Sequence, residues 1–252
     1  MRLAATADLH YTRTSRGSLD DLFRRASGEA DVLLLCGDLT DYGLPEEAEV
    51  LVEDLQRHAS VPVVAVLGNH DYESGRQDEV KDVLSRGGVL VLDGDACEIE
   101  GVGFAGAKGF AGGFGRGLLA PWGEPMIKAF VQESVDEALK LESALRRLKT
   151  ERRVALLHYA PIAGTVAGEP EQIFPYLGCS RLEEPLDRYP VDLVLHGHAH
   201  RGTAEGATRH GIPVYNVAVP VLRQHYPGEP PMRFLELGVP VAASGSRVMA
   251  TS

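Results

Sequence analysis

The chain has 252 residues, of which 44% are hydrophobic and 24% charged, and this composition excludes a mainly disordered protein. Its 25 basic and 36 acidic side chains give a formal net charge of −11. General binding to nucleic acid or to an anionic membrane is therefore not expected, because phosphate backbones require a basic face. A phosphate substrate is not excluded, because a bound metal can reverse the local charge.

The cysteines and the apolar segments bear on the compartment. The three cysteines are far apart in the chain, and their number is odd, which favours a reducing environment. The segment before Asp8 is too short for a secretory signal, and no run approaches the ~18 apolar residues of a membrane span. We therefore expect a cytoplasmic protein without a membrane partner.

Strand-like and helix-like segments alternate along the chain. Apolar runs typical of strands cover residues 2–7, 31–36, 61–67, 89–92, 97–105, 153–157, 191–195, 202–207, 213–217 and 232–237. Amphipathic spacing predicts helices over residues 18–28 with Ser18 as cap, 45–58 and 77–85, and a long helix or helix pair over 125–150. This alternation indicates an α/β fold. Without a linker or repeat, we predict one domain over residues 1–240 and a flexible tail over residues 241–252.

Polar residues with metal-binding chemistry follow five of the predicted strands. They lie in residues 8–10, 37–43, 68–71, 158 and 196–200. Because strand ends of α/β sheets meet at the edge where ligands bind, we expect these side chains to converge. One histidine after a strand is usually a satisfied polar residue. Here six of the nine histidines and one of the two asparagines fall in such segments, which makes coincidence a poor explanation.

Imidazole and carboxylate groups without thiolates suit Zn, Fe, Mn, Co or Ni and argue against a cysteine-type structural zinc site. The candidate donors outnumber those that one tetrahedral ion can use. Two ions sharing a carboxylate fit better, since ions ~3.5–4 Å apart stabilise both the attacking and the leaving oxygen of a phosphoryl transfer. The sequence therefore predicts two divalent or trivalent transition-metal ions.

The order of these motifs over residues 8–200 resembles that of the calcineurin-like metallophosphoesterases. The resemblance implies a four-layer αββα sandwich with metals at the strand ends. For the first metal, it implies the ligands Asp8, His10, Asp38 and His200. For the second metal, it implies Asp38, Asn69, His158 and His198, so that Asp38 bridges the two ions.

The resemblance also implies two catalytic residues that bind no metal. His70 is expected to face the leaving group, and Asp41 is expected to orient it. The segment 196–200 holds one histidine more than the family motif, and we assign His196 a structural or supporting role at the end of a strand.

The implied reaction is in-line attack by a metal-bridging hydroxide on a small phosphodiester or phosphomonoester, with His70 assisting the leaving oxygen. Tyr42 and Asp71 depart from the motifs of the protein phosphatases of this family, and the length leaves little room for the capping domain of its DNA-repair nucleases. The alternatives are a non-catalytic scaffold on the same fold, which would have lost ligands, and a mononuclear hydrolase of unrelated fold. The sequence does not indicate the oligomeric state or the substrate-binding residues.

Residues 101–106 satisfy the pattern G-x-G-x-x-G, which occurs in dinucleotide-binding sites when a helix follows. Here further glycines continue to Gly123, which favours a strand followed by a loop. A substrate lid and a loop without any such role are both open for this segment.

Overall fold

The computed structural model describes residues 1–238, and the tail predicted over residues 241–252 lies outside them. The strands are β1 (Arg2–Thr6), β2 (Val32–Cys36), β3 (Val63–Val66), β4 (Val89–Val91), β5 (Asp95–Ile99), β6 (Val102–Gly106), β7 (Arg152–Leu156), β8 (Leu193–His196), β9 (Glu205–Ala207), β10 (Pro213–Asn216) and β11 (Arg233–Glu236). The helices are α1 (Asp20–Glu29), α2 (Pro45–His58), α3 (Gln77–Arg86), α4 (Pro125–Arg147), α5 (Phe174–Leu177), α6 (Glu183–Arg188) and α7 (Val219–His225).

The strands form two sheets. The first has the order β11-β1-β2-β3-β4 and is parallel except for β11, which pairs antiparallel with β1. The second has the order β5-β6-β7-β8-β10-β9, with a parallel centre and an antiparallel strand at each edge. In both sheets, the polar motifs come directly after the carboxyl ends of parallel strands.

The alternation of side chains along β2 shows how the layers form. Leu33 and Leu35 pack among the apolar residues of α1, α2 and α3, whereas Leu34 and Cys36 pack against the second sheet. On the far side of the second sheet, α4 and α6 supply Leu141, Leu186 and their neighbours to a third cluster. Helices therefore cover both outer faces, and the predicted αββα architecture is confirmed.

Most predicted elements are present, but several boundaries differ. Helix α2 has the predicted bounds, and the helix or helix pair predicted over residues 125–150 is a single helix over Pro125–Arg147. The strand predicted over residues 97–105 is two strands, because Glu100 and Gly101 both have positive φ and turn the chain. Ser18 does not cap α1, which begins at Asp20 after Leu19 without a side-chain cap. Helices α5, α6 and α7 were not predicted.

The glycine pattern of residues 101–106 belongs to strand β6, and a loop follows this strand. The next α-helix after β6 begins at Pro125, so no helix follows the glycines of residues 101–106 as a dinucleotide site would require. Within residues 1–238, no helix combines the length and the apolar character needed to cross a bilayer.

Candidate metal centre

The predicted ligands lie at one edge of the molecule, and both sheets contribute to them. Asp8 and His10 follow β1, Asp38 follows β2, and Asn69 follows β3. From the second sheet, His158 follows β7, and His198 and His200 follow β8. Donor atoms within 4.8 Å of one another form three groups: Asp8, His10 and His200; His10, Asp38 and His70; and Asp38, His158 and His198.

Asp38 belongs to two of these groups and has one carboxylate oxygen toward each side. Its Oδ2 lies 3.9 Å from His10 Nε2, and its Oδ1 lies 3.3 Å from His158 Nε2. His158 Nε2 also lies 2.9 Å from Asn69 Oδ1. On the other side, His200 Nε2 lies 2.9 Å from Asp8 Oδ1.

Main-chain carbonyl oxygens fix the orientation of the imidazole rings. His158 Nδ1 donates to the carbonyl of Cys36 at 3.0 Å, and His198 Nε2 donates to the carbonyl of Tyr176 at 3.0 Å. Because a carbonyl only accepts, each contacted nitrogen carries the proton and the other nitrogen is free to bind a metal. His158 therefore presents Nε2 to the centre, and His198 presents Nδ1.

His70 is oriented in the same way. Its Nδ1 donates to the carbonyl oxygen of Asp41 at 2.7 Å, and its ring packs edge-on against His10 at 4.6 Å between centroids. The carboxylate of Asp41 instead lies 3.2 Å from His10 Nδ1. Asp41 thus contacts His70 through its main chain, and its side chain points to a predicted metal ligand.

Burial and charge control the protonation of the centre. Burial alone would raise the pKa of Asp38, but His158 and the main-chain NH of His70 hold it well below its usual range. Burial of His158 disfavours its protonation, yet Asp38 outweighs burial and raises its pKa to about 9. Burial, followed by repulsion from His158, lowers the pKa of His198 to about 4, so this ring is neutral near pH 7.

The donor set fits a transition metal. Both ring nitrogens of His10 are buried, and neither makes a well-aligned hydrogen bond among residues 1–238, although Asp41 Oδ1 lies 3.2 Å from Nδ1. An unpaired buried polar atom is costly, and a metal would satisfy it. The carboxylates of Asp8 and Asp38 are also buried, which is unusual for acids unless they are paired or bind metals. The residues present therefore suit ions that accept both nitrogen and oxygen ligands.

The backbone of the centre is strained. Of the five non-glycine residues with positive φ in residues 1–238, four are predicted ligands, namely Asp8, His10, Asp38 and His198, and the fifth is Glu100 in the β5–β6 turn. Left-handed backbone at such residues costs about 1–3 kcal/mol and persists where surrounding structure imposes it, often at functional sites.

Glycines allow the ligands to approach the backbone. A Cβ at Gly37 would lie 2.4 Å from His158 Nδ1, and one at Gly68 would lie 2.2 Å from Asp38 Oδ1. A Cβ at Gly197 would lie 2.4 Å from Asp8 Oδ2. Each of these glycines is required next to its ligand because any side chain would displace the ligand.

Asp71 is a supporting residue that the sequence analysis did not assign. Its buried carboxylate accepts hydrogen bonds from the main-chain NH groups of Leu39, Thr40 and Gly68 and from the Thr40 hydroxyl. It thereby joins the loops after β2 and β3. Its position in the Gly-Asn-His-Asp motif was the only available signal.

His196 lies in the core at the end of β8. Its Nε2 is 2.7 Å from Thr165 Oγ1, and its Nδ1 donates to the carbonyl of Gly197 at 2.8 Å. Both ring nitrogens are therefore used away from the three donor groups, in agreement with the predicted structural role. Burial lowers the pKa of His196 to about 4.

The chain is similar to known proteins in sequence and in fold. The model of the calcineurin-like phosphoesterase family matches residues 1–202. Among solved structures, phosphopantetheinyl hydrolase (PptH) from Mycobacterium tuberculosis aligns with a TM-score of 0.67 at 17% identity, covering 96% of this chain and 98% of that one. The TT1561 protein of Thermus thermophilus aligns with a TM-score of 0.53 at 16% identity, covering 88% and 90%. No curated protein matches the sequence.

Proposed function

Because this chain belongs to the calcineurin-like phosphoesterase family, and is therefore a hydrolase of phosphoric ester bonds, we propose that it cleaves a small phosphodiester or phosphomonoester at a centre of two transition-metal ions. The observation that carries the proposal is the position of Asp38, whose two carboxylate oxygens point to different groups of donors. One shared carboxylate between two nitrogen-rich groups suits two ions better than one.

Each ion has its own ligands in this proposal. Asp8, His10, Asp38 and His200 would hold the first ion, and Asp38, Asn69, His158 and His198 would hold the second. When bound, the ions lower the pKa of water and neutralise the charge of the phosphoryl oxygens, which is the chemistry needed for in-line hydrolysis. Mn, Fe, Zn, Co and Ni all suit these donors.

His70 would assist the departing group. Its Nδ1 is occupied by the carbonyl of Asp41, so Nε2 is the nitrogen available to the substrate. In the protonated ring Nε2 carries a second proton, which can pass to the leaving oxygen as the phosphorus–oxygen bond breaks, and general-acid help of this kind contributes typically ~10²–10⁴-fold. His70 also belongs to one donor group with His10 and Asp38, which puts it close to the reacting atoms.

A non-catalytic scaffold is the competing function. A scaffold would have lost metal ligands, whereas every predicted ligand is present at one edge of the two sheets. The completeness of the ligand set therefore supports an enzyme.

The test is the Asp38→Asn variant. We expect elemental analysis of the manganese-saturated wild-type protein to give two ions per chain, and Asp38→Asn to lower the occupancy of both sites. Hydrolysis of 4-nitrophenyl phosphate and bis(4-nitrophenyl) phosphate should fall by more than the ~10–100-fold that is typical of a residue outside the ligand set. Asp82→Asn, on the exposed face of α3, is the matched control. One ion per saturated wild-type chain, or loss of a single ion in Asp38→Asn, would contradict the shared carboxylate.

A further inference from the structure

An apolar depression of about 230 Å³ lies between the glycine-rich loop and the segment around α5. Six residues line it, namely Gly113, Phe114, Gly117, Glu171, Phe174 and Pro175. The rings of Phe114 and Phe174 stand perpendicular to each other with 6.3 Å between centroids and form its apolar walls. We refer to this depression as the Phe114–Phe174 pocket.

The pocket is preformed, because hydrogen bonds join its two walls. The NH of Gly112 donates to the carbonyl of Pro175 at 2.7 Å, and the NH of Gly113 donates to the carbonyl of Gly178 at 2.9 Å. In return, the NH of Ser180 donates to the carbonyl of Gly113 at 3.1 Å. The glycine-rich loop is thus fixed onto the segment around α5, and a ligand would not have to assemble the pocket.

The pocket adjoins one side of the centre, because Phe114 and Phe174 pack against an apolar cluster that contains Ala199, the residue after His198. Tyr176 directly follows Pro175, and its carbonyl holds the ring of His198 at 3.0 Å. Neighbouring Cα atoms are about 3.8 Å apart. Pro175 in the pocket wall is therefore one residue away from Tyr176, whose carbonyl orients the predicted metal ligand His198. His70, in contrast, packs against His10, toward which the other oxygen of Asp38 points.

This placement distinguishes the two ester groups of a phosphodiester. The leaving group would face His70, and the pocket lies on the side of His158 and His198. The group near the pocket is therefore the one that stays on phosphorus. Its chemistry follows from the lining, which holds no cationic side chain and one carboxylate, Glu171. An anionic group would be repelled there, whereas an apolar group would displace water from two phenylalanine rings.

We propose that the Phe114–Phe174 pocket binds an alkyl or aryl group that is esterified to the substrate phosphate and remains on it after cleavage. The substrate class is then a phosphodiester with one apolar arm. This proposal rests on the proposed phosphodiesterase activity and narrows it, because a phosphomonoester has no second ester group to fill the pocket.

Alkyl 4-nitrophenyl phosphodiesters test the proposal, with the alkyl group running from methyl to hexyl. In this reaction, the oxygen of water becomes bonded to phosphorus, 4-nitrophenolate leaves, and the alkyl phosphate is the product. For the manganese-loaded wild-type protein, we expect kcat/KM to rise ~30-fold from the methyl to the hexyl ester, the value for five methylene groups that are each about half buried.

Gly117→Leu is the decisive variant. Gly117 lines the pocket, and a Cβ there meets no atom within 4 Å and needs no unusual backbone, so a leucine does not displace the walls and is expected to occupy pocket space. The ratio of hexyl to methyl kcat/KM should fall to about 1. Gly28→Leu, at a similarly open position on α1, is the control and should keep the wild-type ratio.

A wild-type ratio near 1 with clear hydrolysis of the methyl ester would overturn the pocket assignment and leave the proposed function intact. A ratio of hexyl to methyl kcat/KM that Gly117→Leu does not change would likewise overturn the pocket assignment. If no ester is hydrolysed, the proposed function fails, and calorimetry with methyl and hexyl phosphate then decides on the pocket. Tighter binding of hexyl phosphate that is lost in Gly117→Leu would support the pocket, and equal binding of both phosphates would refute it.

Discussion

Three histidines of the candidate centre owe their orientation to main-chain carbonyl groups. The carbonyl oxygens of Cys36, Asp41 and Tyr176 each accept a hydrogen bond from one ring. A carbonyl has no proton to give, so each contact selects one tautomer of its histidine. A side-chain substitution at any of these three positions would not change which tautomer is selected, provided that the backbone keeps its path.

Replacing His70 tests its role at the leaving group. We expect His70→Ala to retain both metal ions and to lose rate by ~10²–10⁴-fold on esters with alkyl leaving groups, because these leaving groups require a proton. The loss should be smaller with 4-nitrophenolate, which is stable as an anion. Steady-state rates with both leaving groups, together with elemental analysis, check this expectation.

His210→Ala removes an exposed histidine that belongs to none of the three donor groups and serves as the control. Equal losses on both leaving groups would exclude proton donation and leave His70 a positioning role. Loss of a metal ion would instead make His70 a ligand, as its place in one donor group with His10 and Asp38 would allow.

Side-chain motifs made the candidate residues predictable, and main-chain groups could not be predicted. Asp8, Asp38 and His158 each follow an apolar run, which is a pattern visible in the sequence. The carbonyl of Tyr176 has no such signal, because every residue carries one and only the path of the chain brings this one to His198. The same limitation applies to Asp41, which was expected to orient His70 and contacts it through its main-chain carbonyl.

At the scale of elements, the loops after β2 and β3 are joined through Asp71. Oδ1 of Asp71 accepts from the NH and the hydroxyl of Thr40, and Oδ2 accepts from the NH groups of Leu39 and Gly68. Burial and the nearby Asp38 raise the pKa of Asp71. These loops carry Asp38 and Asn69. The carboxylate of Asp71 therefore helps to hold Asp38, the predicted bridging residue, in place and is not itself a predicted ligand.

Asp71→Asn should therefore destabilise the protein and weaken the centre. In asparagine, an NH₂ group takes the place of one of the two carboxylate oxygens, and at either place it would face two hydrogen-bond donors. Each buried donor left without an acceptor costs about 1–3 kcal/mol. We expect the free energy of unfolding in urea to fall by ~2–4 kcal/mol and manganese to bind more weakly. Asp78→Asn on α3 is exposed and should change stability by less than ~0.5 kcal/mol. Wild-type stability of Asp71→Asn would show that the two loops do not depend on this carboxylate.

The elements that were predicted least well are those that depend on single turns. The hairpin of β5 and β6 was predicted as one strand because the composition is strand-like on both sides of its short turn at Glu100 and Gly101. The short helices α5, α6 and α7 contain prolines near their first turns and only four to seven residues, too few to establish an amphipathic period. The long α2, in contrast, has acids in its first turn and bases in its last, and its bounds were predicted correctly.

At the scale of the whole molecule, the ligands come from both sheets. The first sheet supplies Asp8, His10, Asp38 and Asn69, and the second supplies the three remaining histidines. Ions bound between them would connect the two sheets, and unfolding would release the ions. Stability should therefore depend on the free metal concentration by mass action.

Thermal unfolding of metal-stripped and manganese-loaded protein tests this linkage. At a free metal concentration of about 100 times Kd, each site adds about 2.7 kcal/mol, which corresponds to an increase in Tm of ~5–10 °C for a chain of this size. The shift should grow with manganese concentration and should be much smaller in Asp38→Asn. A Tm that is independent of manganese would show that the centre does not join the sheets in the folded state.

The pairing of β1 with β11 has a consequence for synthesis on the ribosome. β1 is flanked by β2 on one side and by β11 on the other, and these two partners are made at very different times. Until residues 233–236 leave the ribosome, one edge of β1 has unpaired NH and carbonyl groups beside an apolar strand, which is a template for association with other chains. The nascent protein thus contains all its predicted metal ligands by residue 200 while its first sheet is still open, and a chain interrupted between these points is expected to be prone to aggregate.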